Sequence, residues 1–161
     1  MRARVLIIDD DKSFANVIRL LLKSEKIDST IALSPSEAMK IYKNEKMNFD
    51  LLIIDYKFEN IDITGADLAL HIQQQNPHQH ILFMTGFDEK EIYFNLLNTG
   101  VSRHFLQKGL SHEIMLTKIK NVLTASGVSL TPIIEDTLEE SLKRESAIRG
   151  LGMVGRSKQL F

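Results

Sequence analysis

A chain of 161 residues has the length of one domain, at roughly 100–200 residues each, with room for a short extension. At 43% hydrophobic and 25% charged residues it can bury an ordinary globular core, and eight Gly and three Pro exclude a collagenous or low-complexity chain. A formal charge of −1 offers no bulk attraction to nucleic acid or anionic membrane, and the absence of Cys excludes disulfides, thiolate ligands and a cysteine nucleophile. No apolar run approaches the roughly 20 residues of a membrane span, and Met1-Arg2-Ala3-Arg4 leads straight into a strand-like run, so a cytoplasmic protein without membrane contact is expected.

Short β-branched runs alternate with longer segments of helical period, the pattern of βαβ units around a parallel sheet. Val5-Leu6-Ile7-Ile8 predicts a first strand, cut off by three aspartates. Phe14, Val17, Ile18, Leu21 and Leu22 recur at three- and four-residue intervals and predict a helix with one apolar face. Ser29 to Leu33 predicts a weak edge strand. Ser34-Pro35-Ser36-Glu37 then reads as a capping box with Pro at the first helical position, opening a helix to about Lys46. Leu51-Leu52-Ile53-Ile54 predicts a buried strand ending at Asp55, and a polar loop reaches Gly65 before a helix bearing Leu68, Leu70 and Ile72. Ile81-Leu82-Phe83-Met84 predicts a fourth strand closed by Thr85-Gly86, and Asp88 with Glu91 can cap a helix that holds Ile92, Leu96 and Leu97 and ends at Gly100. His104 to Gln107 predicts the last strand, and 111 to about 124 the last helix. Strict alternation of five strands and five helices predicts an α/β, doubly wound, three-layer domain. His78-Gln79-His80 could suggest a metal site, but two histidines in a polar turn read as solvated.

Beyond Ser126-Gly127 the character changes. Ile134, Leu138 and Leu142 lie at helical spacing, with acids early (Glu135, Asp136, Glu139, Glu140) and bases late (Lys143, Arg144, Arg149), which complements a helix dipole. So narrow an apolar stripe needs a partner helix to be stable. The expected organisation is a domain over 1–125, a linker with a dimerising helix over 126–150, and the start of a further domain over 151–161.

In an open parallel sheet, ligands bind beyond the carboxyl ends of the strands. Those ends carry Asp9, Asp10 and Asp11, then Asp55, then Thr85, then Lys108. Singly, each has an ordinary reading: Asp11 as a helix cap, Thr85 as a turn residue, Lys108 as surface charge. Together they place several carboxylates, a hydroxyl and an ammonium on one rim. Crowded carboxylates repel unless a cation compensates, and an all-oxygen cluster favours Mg²⁺. A carboxylate beside Mg²⁺ can attack phosphorus to form an acyl phosphate, while ammonium and hydroxyl groups neutralise the phosphoryl oxygens.

V-L-I-I-D-D-D-K at 5–12, L-L-I-I-D at 51–55, L-F-M-T-G at 82–86 and F-L-Q-K at 105–108 resemble the receiver domain of two-component response regulators, a flavodoxin-like, CheY-like fold. The resemblance covers about residues 3–124 and implies Asp55 as phosphoacceptor for a sensor histidine kinase or phosphotransfer protein. It implies Asp10 as a direct Mg²⁺ ligand, Asp9 as its acidic neighbour acting through water, and the Lys57 backbone carbonyl as a further ligand. Thr85 matches the switch hydroxyl, Lys108 the ammonium partner and Phe105 the aromatic switch position. Three departures stand out: Gly109 replaces the family's usual Pro after the Lys, the loop from Asp55 to Gly65 is about two residues longer than usual, and the stretch from Gly100 to Lys108 is one residue longer.

The tail Gly152-Met153-Val154-Gly155-Arg156-Ser157-Lys158-Gln159-Leu160 resembles the opening of the ATPase domain in sigma-54-dependent activators of the NtrC type. That implies a transcription regulator whose linker helix, or last strand and helix, pairs two chains. The chain has no G-x-x-x-x-G-K-[ST] motif and no evident DNA-reading helix, so neither ATP hydrolysis by that route nor nucleic-acid contact is expected of this segment. Two alternatives stay open: a phosphorylation-independent pseudo-receiver, and a haloacid-dehalogenase-type phosphatase using Asp9 of Asp9-Asp10-Asp11 as nucleophile. On the main reading the protein is a phosphoacceptor signalling domain and not an enzyme beyond its own Mg²⁺-dependent phosphorylation and dephosphorylation.

Overall fold

The fold is described from a computed structural model, over residues 2–46, 48–86, 104–128 and 130. The strands are β1 (Arg4–Ile8), β2 (Asp28–Ala32), β3 (Leu51–Asp55), β4 (Ile81–Thr85) and β5 (His104–Gln107). The helices within these residues are α1 (Lys12–Ser24), α2 (Pro35–Asn44), α3 (Gly65–Gln75) and α4 (His112–Ala125). All strands pair in parallel, in the order β2-β1-β3-β4-β5. The expected helix over 88–100, the linker helix and the segment 151–161 lie outside the described residues.

The central strands are apolar throughout because helices cover both faces of the sheet, and their period of two sorts them between two cores. Leu6, Ile8, Leu52, Ile54 and Phe83 face one side, packing with Ala38 and Tyr42 of α2 and Leu68 and Ile72 of α3. Val5, Ile7, Leu51, Ile53 and Met84 face the other, against Ala15, Ile18 and Leu22 of α1 and Ile119 and Leu123 of α4. Each described helix follows a strand and begins at the sheet's carboxyl edge with a side-chain cap: Asp11, Ser34, Thr64 or Ser111.

Some expectations shift. The edge strand β2 runs one residue earlier than expected, since it alternates exposed and covered residues and carries a weak boundary signal. Leu70 is 39% exposed; Ala69, not Leu70, joins Leu68 and Ile72 in the core. At α2 the Ser34 hydroxyl accepts from the Glu37 N–H as expected, but the Glu37 carboxylate reaches one residue further back, to the Leu33 N–H at 2.8 Å. A complete capping box forms instead at α3, between Thr64 and Asp67. Its hydrogen bonds hold the Asp67 carboxyl below its ordinary value.

Candidate functional site

The three aspartates after β1 have three different surroundings. Asp9 is fully buried; one carboxylate oxygen accepts the Asp11 N–H at 2.9 Å, and the other lies 2.8 Å from Lys108 Nζ. Asp10 accepts the Glu59 N–H at 2.8 Å, so its carboxylate holds the long loop after β3. Asp11 caps α1, accepting from the Ser13 and Phe14 N–H groups at 2.9 and 3.1 Å.

Asp55 ends β3 and is 6% exposed. Lys108 Nζ donates to its Oδ2 at 2.7 Å, and the Lys57 N–H approaches its Oδ1 at 3.5 Å. Asp9, Asp10 and Asp55 can each offer one oxygen with all three atoms within 4.8 Å of one another. Burial, and then the neighbouring Asp9 charge, push the Asp55 carboxyl up to about 6 in spite of Lys108. Burial likewise holds the Asp9 carboxyl above its ordinary value. Burial alone would lower the Lys108 ammonium, but its bonds to Asp55 and Asp9 more than offset that and hold it up.

Lys108 is followed by Gly109. The Lys108 N–H donates to the Thr85 carbonyl at 2.7 Å, and Gly109 turns the chain away at φ +98°, a region that favours glycine. Thr85 is therefore braced to Lys108 through the backbone. It is buried and is not among the residues that line the cleft. That cleft, of about 680 Å³, is lined by Asp10, Asp11, Asp55 and Lys108 on the sheet side and by residues 57–60 of the loop.

The loop between β3 and α3 is folded rather than loose. Lys57 bridges Thr64 in antiparallel fashion, the Gly65 N–H donates to the Tyr56 carbonyl at 2.8 Å, and Asn60 takes a φ of +56°. Phe58 is buried beneath it. Gly65 lies against the strand end: a Cβ there would stand 2.1 Å from the Asp55 carbonyl oxygen, which only glycine avoids. Phe105 is half-buried and stacks on Phe83 with ring centres 5.9 Å apart, and Phe83 meets Tyr56 edge-on at 6.4 Å.

The fold thus brings Asp9, Asp10, Asp55 and Lys108 into one notch, with Lys57 at its mouth and Thr85 and Phe105 one and two strands away. Three contributors escaped sequence reasoning. The Glu59 backbone amide has no side-chain signature. Gly65 was visible only as the end of a polar loop. Phe14, read as one stripe of α1, places its ring 5.0 Å from Lys108 Nζ.

Residues 5–120 match the response regulator receiver domain model, and the chain belongs to that family. It is 26% identical to the response regulator protein PilR of Pseudomonas aeruginosa over 161 residues, covering 98% of this chain and 35% of PilR. It is 25% identical to the transcriptional regulatory protein GlrR of Escherichia coli over 173 residues, covering 99% of this chain and 38% of GlrR. The chain spans less than half the length of these curated relatives. Among solved structures, it resembles a CheY-like receiver domain from Methanospirillum hungatei with a TM-score of 0.69 and 26% identity, covering 79% of this chain and 98% of that one. NtrX from Brucella abortus shares the fold at a TM-score of 0.70 and 18% identity, over 91% of this chain and 29% of that one. Among the described residues no helix is long and apolar enough to cross a membrane.

Proposed function

We propose that this receiver domain accepts a phosphoryl group on Asp55 from the phosphohistidine of a sensor histidine kinase or phosphotransfer protein, and so switches an attached output domain. The observation that carries the proposal is the notch itself: a carboxylate at the end of β3, lining an open cleft, with two further carboxylates and one ammonium converging on it.

In the transfer, an Asp55 carboxylate oxygen attacks phosphorus, the P–N bond to the donor imidazole breaks, and an acyl phosphate forms while the imidazole keeps the bonding electron pair. With its pKa at about 6, Asp55 is mostly ionised at pH 7 and able to attack. The donor set is all oxygen, as a hard divalent cation requires, and Asp9 Oδ2 is buried without a hydrogen bond of good geometry. Asp10 and Asp55, with Asp9 and the Lys57 carbonyl, would hold Mg²⁺, which when bound neutralises charge on the phosphoryl oxygens. Lys108, already on Asp55 Oδ2, is within reach of a phosphoryl oxygen attached there. Thr85, whose carbonyl Lys108 holds, is the hydroxyl that follows, and Phe105 the aromatic that repacks.

Two chains would then pair through the linker helix over 126–150 or the β5–α4 face, in a transcription regulator of the NtrC type whose next domain starts at about 151. The dehalogenase alternative fares worse: Asp9 is fully buried and absent from the cleft lining, whereas Asp55 lines it. Labelling with acetyl phosphate and Mg²⁺ tests the proposal. Wild type should take up close to one phosphoryl group and Asp55→Asn none; equal labelling of both would overturn it. No labelling together with no millimolar Mg²⁺ binding would favour the inert pseudo-receiver.

A further inference from the structure

Asp11 accepts from the backbone N–H of Phe14 and so fixes the first turn of α1 at the carboxyl edge of the sheet, where the Phe14 ring lies 5.0 Å from Lys108 Nζ. An ammonium within about 6 Å of a ring centroid is attracted by the negative face of the π-system, most strongly where water is limited. Lys108 is such a case, with 22% of its side chain exposed. Its head group has three N–H bonds: one donates to Asp55, the Asp9 carboxylate stands 2.8 Å away, and the ring covers a further approach. A four-carbon stem carries no rigidity of its own, so the direction of Nζ is set by these neighbours.

From this contact we propose that Phe14 is a positioning residue for Lys108: its ring holds the ammonium over Asp55 and thereby sets the rate at which Asp55 is phosphorylated. The inference rests on the phosphoacceptor reading of Asp55 for its kinetic consequence, and on geometry alone for the contact. Its ordinary rival is that Phe14, which also packs against the α1–α4 core, is simply an apolar filler.

Phe14→Leu keeps apolar bulk but has no π face, whereas Phe14→Tyr keeps the face. With acetyl phosphate at saturating Mg²⁺, Phe14→Leu should be labelled about three- to tenfold more slowly than wild type, and Phe14→Tyr should restore the rate. Melting temperatures of the two variants should match within a few degrees. Equal rates for Leu and Tyr, or rates that follow melting temperature alone, would overturn the proposal. NMR of the Lys108 side chain supplies a readout independent of phosphorylation. Its Hε and Hζ resonances should be shifted upfield by the ring in wild type and Phe14→Tyr and return to ordinary lysine positions in Phe14→Leu; ordinary positions in wild type would refute the contact. If wild type is never labelled while the upfield shift is present, the phosphoacceptor reading fails and the contact stands.

Discussion

Lys108→Ala probes how far the notch stabilises the fold in addition to serving its chemistry. The ammonium lies 2.7 Å from Asp55 Oδ2 and 2.8 Å from Asp9 Oδ2, and those side chains are only 9% and 0% exposed. Its removal leaves two buried carboxylates facing each other with no counter-charge. Breaking a buried ion pair by deleting one partner costs about 3–5 kcal/mol, and partial exposure of Lys108 lowers that to about 2–4 kcal/mol. For a domain of this size the loss corresponds to roughly 8–15 °C in melting temperature. The pH dependence has a definite sign. Asp55 and Asp9 already have raised folded pKa values, and losing the cation raises them further, so the penalty is full above the folded pKa and disappears as falling pH protonates them. Thermal melts in chelator should therefore show a large deficit for Lys108→Ala at pH 8 and a small one at pH 5, with millimolar Mg²⁺ recovering part of it at pH 8. A deficit independent of pH, or none at pH 8, would refute the reasoning.

Three further perturbations have definite outcomes. In metal-free protein, Asp55→Asn should raise stability above pH 6 by about 2 kcal/mol, with the gain fading toward pH 4 as the wild-type carboxyl protonates; urea denaturation across that range tests it, and a uniform loss would contradict it. Gly65→Ala should cost about 3 kcal/mol and slow labelling of Asp55, because the new methyl meets the Asp55 carbonyl oxygen at 2.1 Å and displaces the strand end; melting and labelling rates measured together check it. Gln79→Leu should cost about 2 kcal/mol, since the Tyr42 hydroxyl donates to its side-chain oxygen at 2.8 Å and its amide donates to the Phe49 carbonyl at 3.1 Å. Combining it with Tyr42→Phe should cost less than the two single changes added, which a double-mutant cycle by urea denaturation would show.

How much of this was readable in the chain depends on where the information is stored. The runs 5–8, 51–54 and 81–84 are apolar without interruption, which happens when both faces of a parallel sheet are covered, so those strands and their order of chemistry at the rim were visible. The carboxylates, Thr85 and Lys108 were visible as candidates for the same reason: each ends or follows a strand. What failed was information held between distant segments. Gln79 sits in a His-Gln-His turn that reads as solvated, yet its partner Tyr42 lies 37 residues earlier and buries it. Glu59 contributes only a backbone N–H, to Asp10 49 residues away, which no side-chain pattern announces. Leu70 is 39% exposed and Ala69 buried because a helical stripe specifies a face only to within about one residue. The Glu37 carboxylate kept its capping role but chose the Leu33 N–H over the Ser34 N–H, a difference of one residue that composition cannot decide. Gly109 turns the chain at a φ of +98°, and Lys108 stands 2.7 Å from Asp55 Oδ2.

The central claim is that Asp55 carries the phosphoryl group, and the most direct measurement is to find that group. After treatment with acetyl phosphate and Mg²⁺, borohydride reduction converts an acyl phosphate on aspartate to homoserine, and peptide mass spectrometry locates the change. The account requires conversion at Asp55 and at no other acidic residue; conversion at Asp9, or none at all, would contradict it.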